Sequence, residues 1–138
     1  MKAAAVVIVM ALAEIAHAAP RTFEISAATT TWKRGEKVAV TLTYRNTKAG
    51  PITISVYNCS WDMHVATVDR QLVWDSWGCE KNAPLKIDLA PGATKSWTLE
   101  MYAEKSARVG KHALKLTFAP YGAPAAVPSN DVAITVEN

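Results

Sequence analysis

From Phe23 onward the chain alternates between apolar and polar positions. Phe23, Ile25 and Ala27 share one parity, and so do Val38, Val40, Leu42 and Tyr44, with Lys37, Thr41, Thr43 and Arg45 on the other. The same period returns in Ile52, Ile54 and Val56, in Leu85, Ile87 and Leu89, and in Trp97, Leu99 and Met101. It recurs in Leu114, Leu116 and Phe118 and once more in Val132, Ile134 and Val136. Side chains of an extended strand point alternately to its two faces, so each stretch predicts a strand with one face buried and one in water. Helical spacing is not sustained anywhere in this part of the chain.

Turn signals separate the alternating stretches: KRGEK, NTKAGP, APGAT and PYGAPAAVPSN. In APGAT, Pro91 and Gly92 suit the two central positions of a type II turn, where the second must take a positive φ. Short strands, turns at intervals of roughly 10 residues and no helix between them predict an all-β domain. The expected architecture is an antiparallel immunoglobulin-like β-sandwich of seven to eight strands.

Composition narrows the setting. The first 18 residues carry Lys2, an apolar run from Ala3 to Ala13 and then Ala16-His17-Ala18, the pattern of a secretory signal peptide. The run falls short of the ~20 apolar residues that a membrane-spanning helix needs. Residues 1–18 are therefore expected to be a signal peptide, and residues 19–138 one domain without a membrane span, exported to the periplasm or the extracellular space. Net charge is only +3, with both signs interspersed, so no basic stripe for nucleic acid is present. Two cysteines, Cys59 and Cys79, lie in the exported part, where an oxidising compartment favours a disulfide between them.

The segment 58–82, NCSWDMHVATVDRQLVWDSWGCEKN, concentrates the residues with chemistry. Read as extended, it puts Cys59, Trp61, Met63 and Val65 on the core face and turns Ser60, Asp62 and His64 outward. The inward parity then shifts between Val56 and Cys59, which calls for a bulge or corner near Tyr57 and Asn58. A Cys59–Cys79 bridge would clamp this segment locally, with Trp61 and Trp74 covering it and Trp77 in a loop beside Gly78.

Ser60, Asp62 and His64 on one face invite a nucleophilic reading. Side chains two apart on a strand run parallel, however, whereas a triad needs them to converge. Met63, His64, Met101 and His112 are of the soft-sulfur and imidazole types that suit copper, but no pair has a recognised ligand spacing. Aromatic and polar side chains on loops suit recognition. The expected binding residues are Asp62, His64, Arg70, Trp77 and Tyr121, with no catalytic residue, metal ligand or cofactor.

KRGEKVAVTLTYRNT, LAPGATKSWTLEM and VGKHALKLTF followed by PSNDVAITVEN resemble the successive strands of small exported bacterial immunoglobulin-like domains. The order of a strand ending in Asn-Thr, a Pro-Gly turn and a Gly-initiated penultimate strand is similar to the BsuPI-type proteinase-inhibitor domain. That resemblance implies a sandwich fold and proteinase inhibition. The Cys59 to Cys79 insert departs from it, and no inhibitory residue carries over to a position here. The expected function is non-catalytic binding of a protein partner; the alternatives are a periplasmic copper-binding protein and a carbohydrate-binding module.

Overall fold

The computed structural model describes residues 19–138, and the signal peptide expected over residues 1–18 lies outside them. The described chain forms β1 (Phe23–Ala27), β2 (Thr31–Lys33), β3 (Val38–Arg45), β4 (Ile52–Tyr57), β5 (Val65–Thr67) and β6 (Leu72–Trp74). It continues with β7 (Pro84–Leu89), β8 (Thr94–Ala103), β9 (Gly110–Leu114), β10 (Leu116–Phe118), β11 (Val127–Pro128) and β12 (Val132–Glu137). A single 3-10 turn, Trp61–His64, interrupts the series. Every alternating stretch is strand, the Leu114–Phe118 one divided between β9 and β10; the remaining strands are too short for a period to show.

One sheet has the order β1-β3-β8-β6. Its spine is the antiparallel pair β3 and β8, in register from Val38 opposite Met101 to Arg45 opposite Thr94. Alternation then places Val40, Leu42, Leu99 and Met101 on one face, where all are fully buried. In the facing layer β9 and β10 are nearly continuous, broken at Lys115. They pair with β12 and β11 on one side and β5 on the other. A Ser55–Tyr121 bridge attaches β4, which pairs in turn with β7. The layers meet at Phe118, whose ring centroid lies 5.4 Å from Phe23, 5.6 Å from Tyr44 and 5.3 Å from Trp97. Face-to-face layers closed over such a core make an antiparallel β-sandwich.

The beginning of the domain serves both layers: β1 pairs with β3, and β2 runs parallel to β12. This crossing buries Trp32 completely, with its indole N–H donating to the Thr29 carbonyl at 2.8 Å. The free edge of β1 is capped by a side chain. The Asn130 amide accepts from the Ile25 N–H at 2.8 Å and donates to the Ile25 carbonyl at 3.1 Å, as a neighbouring strand would. At the opposite flank β7 pairs only with β4, and its inward row is buried at Leu89 but not at Leu85, which is 47% exposed.

Local turn chemistry agrees with the sequence at Pro91-Gly92: Gly92 has φ of 78° and the Ala93 N–H donates to the Ala90 carbonyl at 2.9 Å. Gly122 answers two demands at once. Its φ is 89°, and a Cβ there would stand 2.9 Å from the Thr53 carbonyl oxygen.

Candidate functional site

Between β4 and β5 the chain leaves the sheet. Ser55 is bridged to Tyr121 and Val65 lies opposite Phe118, so both strands lie along the same edge while Asn58–His64 loops out. A corner was expected at Tyr57 and Asn58, but it takes the form of this whole excursion. Its backbone groups find fixed partners. The Asn58 N–H donates to the Ala83 carbonyl at 2.9 Å, and the Asn58 side-chain oxygen accepts from the Ala83 N–H at 3.0 Å. The Ser60 N–H reaches the Asn82 side chain at 3.2 Å, and the Ala119 N–H donates to the His64 carbonyl at 2.9 Å.

The 3-10 turn reverses the expected faces. Ser60, Asp62 and His64 are buried at 7%, 2% and 9% exposure, while Met63 stands out at 69%. Alternation by two holds only for extended backbone; a 3-10 turn advances three residues per turn and sends neighbouring side chains in unrelated directions. The readings of Ser60, Asp62 and His64 as outward-facing groups and of Met63 as core wall are therefore corrected.

His64 is a structural tie. Its Nε2 accepts from the Tyr57 N–H at 3.2 Å and its Nδ1–H donates to the Ala119 carbonyl at 3.1 Å, which selects the Nδ1-protonated tautomer. The ring packs edge-on against Tyr121 with centroids 5.0 Å apart and lies 5.6 Å from Tyr57. A metal could reach either nitrogen only by breaking one of these bonds. Ser60, Asp62 and His64 share no hydrogen bond with one another.

Asp62 is also turned inward. Its Oδ2 accepts the Trp74 indole N–H at 3.2 Å, and its buried Oδ1 has no partner among the described residues.

The bond between Cys59 and Cys79, expected from the sequence, is present, with Cα atoms 6.1 Å apart. Trp77 sits just before it. The Trp77 indole N–H donates to the Cys59 carbonyl at 2.9 Å, tying the two ends of the clamp a second time. Its ring meets Trp61 edge-to-face at 5.6 Å, Trp61 stacks on Trp97 at 5.9 Å, and Trp97 contacts Phe118. A continuous aromatic column thus runs from the centre of the core to Trp77, which remains 39% exposed. Trp61 and Trp74 are partly buried against the core, as the sequence suggested.

Tyr121, 53% exposed, is the other outward aromatic of the region. Its hydroxyl faces that of Tyr57 at 3.5 Å, a contact that raises the Tyr121 pKa above its ordinary value. Arg70 lies apart from this group, exposed in the turn between β5 and β6. Neighbouring Asp69 turns instead to the buried His112, accepting from Nδ1 at 2.7 Å. His112 Nε2 lies 2.6 Å from the Arg108 carbonyl, so this second histidine, like His64, has both ring nitrogens engaged. Asp75 anchors the far end of β6: it accepts from the Tyr102 hydroxyl at 2.7 Å and pairs with Lys37 at 3.3 Å. Those two contacts, Tyr102 before Lys37, hold its carboxyl below the usual range.

The structure therefore brings Trp77 together with Asp62 through Trp61, Trp74 and the disulfide, and Tyr121 together with His64, but leaves Arg70 elsewhere. Trp97 and Trp61 support the exposed ring. The period of two marks Trp97 simply as a core position, and nothing in the sequence links it to Trp77. Among the described residues no helix is long and apolar enough to cross a membrane. No family model matches this chain, and no curated protein matches it in sequence.

Proposed function

We propose that this chain is an exported, non-catalytic binding domain that recognises a protein partner through the surface carrying Trp77. The observation that supports this reading is the way Trp77 is held. A half-exposed indole, fixed by its N–H to the Cys59 carbonyl, backed by Trp61 and closed in by a disulfide, has little freedom left to lose on binding. Rigid tryptophans of this kind are the residues that dominate protein interfaces. Export rests on the signal-peptide pattern of residues 1–18 and on the disulfide, which persists in oxidising compartments. A proteinase is the partner class that the BsuPI-type resemblance adds. The commitment of both nitrogens of His64 and of His112 to protein acceptors and donors weighs against a copper site.

A photo-crosslinking amino acid placed at Trp77, with Val109 in the β8–β9 turn as control, tests the reading in cells that export the protein. A discrete protein adduct at position 77 and none at 109 is the expected outcome. No adduct at 77, or the same adducts at both positions, would overturn it. Titration with neutral oligosaccharides followed by tryptophan fluorescence is the companion measurement: a saturable shift lost in Trp77→Ala would replace the protein partner with a glycan.

A further inference from the structure

β7 is hydrogen-bonded along one side only. Its partner is β4, and no backbone bond reaches its other edge among the described residues. The register shows what that edge presents. The Asn58 N–H donates to the Ala83 carbonyl at 2.9 Å, so Ala83 faces β4, and in an antiparallel ladder every second residue after it, Leu85, Ile87 and Leu89, does the same. Lys86 and Asp88 therefore turn their N–H and C=O groups to the open side. Ser55, opposite Lys86, has the matching phase: it exchanges both of its backbone bonds with Tyr121, at 2.9 Å each, and none with β7.

The side chains of this edge are incompletely used. In the apolar row Leu85 is 47% exposed and Ile87 only half-buried. The outward row carries one cation and one anion, and neither Lys86 nor Asp88 forms an ion pair among the described residues. A lone lysine on an open edge deters pairing with another sheet. The run Leu85-Lys86-Ile87-Asp88-Leu89 is different, because read backwards it keeps its apolar spacing and exchanges its two charges.

That pattern is complementary to itself in one register. When two such edges meet antiparallel about a two-fold axis, an axis through Lys86 or Asp88 sets that residue against its own copy, a like-charge contact that destabilises a strand pair. An axis farther out brings in Pro84, which has no N–H, or runs past the end of the strand. Through Ile87, Lys86 lies opposite Asp88 of the second copy, and Asp88 opposite its Lys86. We propose that β7 pairs in this register with β7 of a second copy of this chain, forming a symmetric dimer with one sheet continuous across it. Each Lys86–Asp88 pair exchanges both backbone bonds and sets its charges side by side, while Ile87 meets Ile87 and the exposed Leu85 gains Leu89 as a neighbour. A single strand pair is a small interface, and its dissociation constant should be on the order of 100 µM. The dimer is made by β7 and does not rest on the reading of Trp77.

The test is sedimentation equilibrium of the exported chain from about 10 µM to about 1 mM, where the wild type should show a reversible monomer–dimer equilibrium. Lys86→Asp and Asp88→Lys each create like-charge contacts twice over, by the symmetry, and should weaken the dimer at least about tenfold. Combining the two restores the complement and should recover the wild-type constant to within about threefold. Ile87→Cys should be trapped as a covalent dimer under mild oxidation and Leu85→Cys should not, since position 87 lies opposite itself and position 85 does not. A monomer at every concentration, a dimer indifferent to the single reversals, or one that the double exchange fails to restore would overturn the proposal. A photo-crosslinker at Ile87 that captures another exported protein in place of a second copy would likewise overturn it, assigning the edge to a foreign strand.

Discussion

Removal of the Cys59–Cys79 bond should lower stability without rearranging the segment that it closes. The bond joins residues separated by 20 positions. Releasing a loop of that length restores chain entropy to the unfolded state worth about 3 kcal/mol at 25 °C. The folded segment has other fasteners: the paired hydrogen bonds between Asn58 and Ala83, the Ser60–Asn82 bond, and the Trp77 indole on the Cys59 carbonyl. The effect should therefore appear as a fall in unfolding free energy, with the native conformation retained. The assay is urea unfolding of the Cys59→Ala/Cys79→Ala variant by tryptophan fluorescence and far-UV circular dichroism, alongside the wild type with and without reductant. A melting temperature lower by roughly 10 to 15 °C should accompany it in a domain of this size. Near-UV dichroism in native buffer should keep the tryptophan bands. A stability change below about 0.5 kcal/mol would refute the chain-entropy argument. Loss of those bands before any unfolding would refute the claim that these hydrogen bonds suffice to hold the segment.

Further outcomes follow from single contacts. His64→Ala leaves the Tyr57 N–H without its acceptor and removes the ring beneath Tyr121, and should cost about 2 to 4 kcal/mol in urea unfolding. Gly122→Ala meets both the positive φ and the Thr53 carbonyl, so it should destabilise by about 1 to 3 kcal/mol, read as a lower urea midpoint at unchanged slope. Burial pushes the Asp69 carboxyl up, but the hydrogen bonds from His112 and the Gln71 N–H and the charges of His112 and Arg108 outweigh it, so its pKa lies below the ordinary 3.8. A carboxyl depressed in the folded state stabilises above its unfolded value and loses that contribution as pH falls through the folded one. Asp69→Asn should accordingly flatten the fall in urea midpoint below about pH 4 relative to wild type, and an unchanged acid limb would count against this ion pair.

Much of the architecture was readable along the chain because the signals for it are local. A period of two reports side-chain direction in an extended backbone, whatever the strand pairs with, and Val38–Tyr44 or Leu114–Phe118 needed nothing more. β2 and β11 escaped because three or two residues are too few to show a period. Trp32, in the first of these, is completely buried, yet no neighbouring alternation marked it. The candidate site fared worse. The expected faces of Asn58–His64 rested on carrying the strand period through a segment that is not a strand, and the buried Asp62 and His64 are the result.

The sequence by itself determined the all-β class, the Pro91-Gly92 turn and the pairing of its two cysteines. Each follows from backbone preference within a few residues or from the absence of any other partner. Tertiary structure decided which way the middle segment faces. The bonds that orient it run from His64 to Ala119 and from Trp77 to Cys59, and the rings that support it come from Trp97 and Phe118 on two different sheets. Contacts between positions so far apart in the chain exist only once the layers have closed. The exposed indole at Trp77 is a product of that closure.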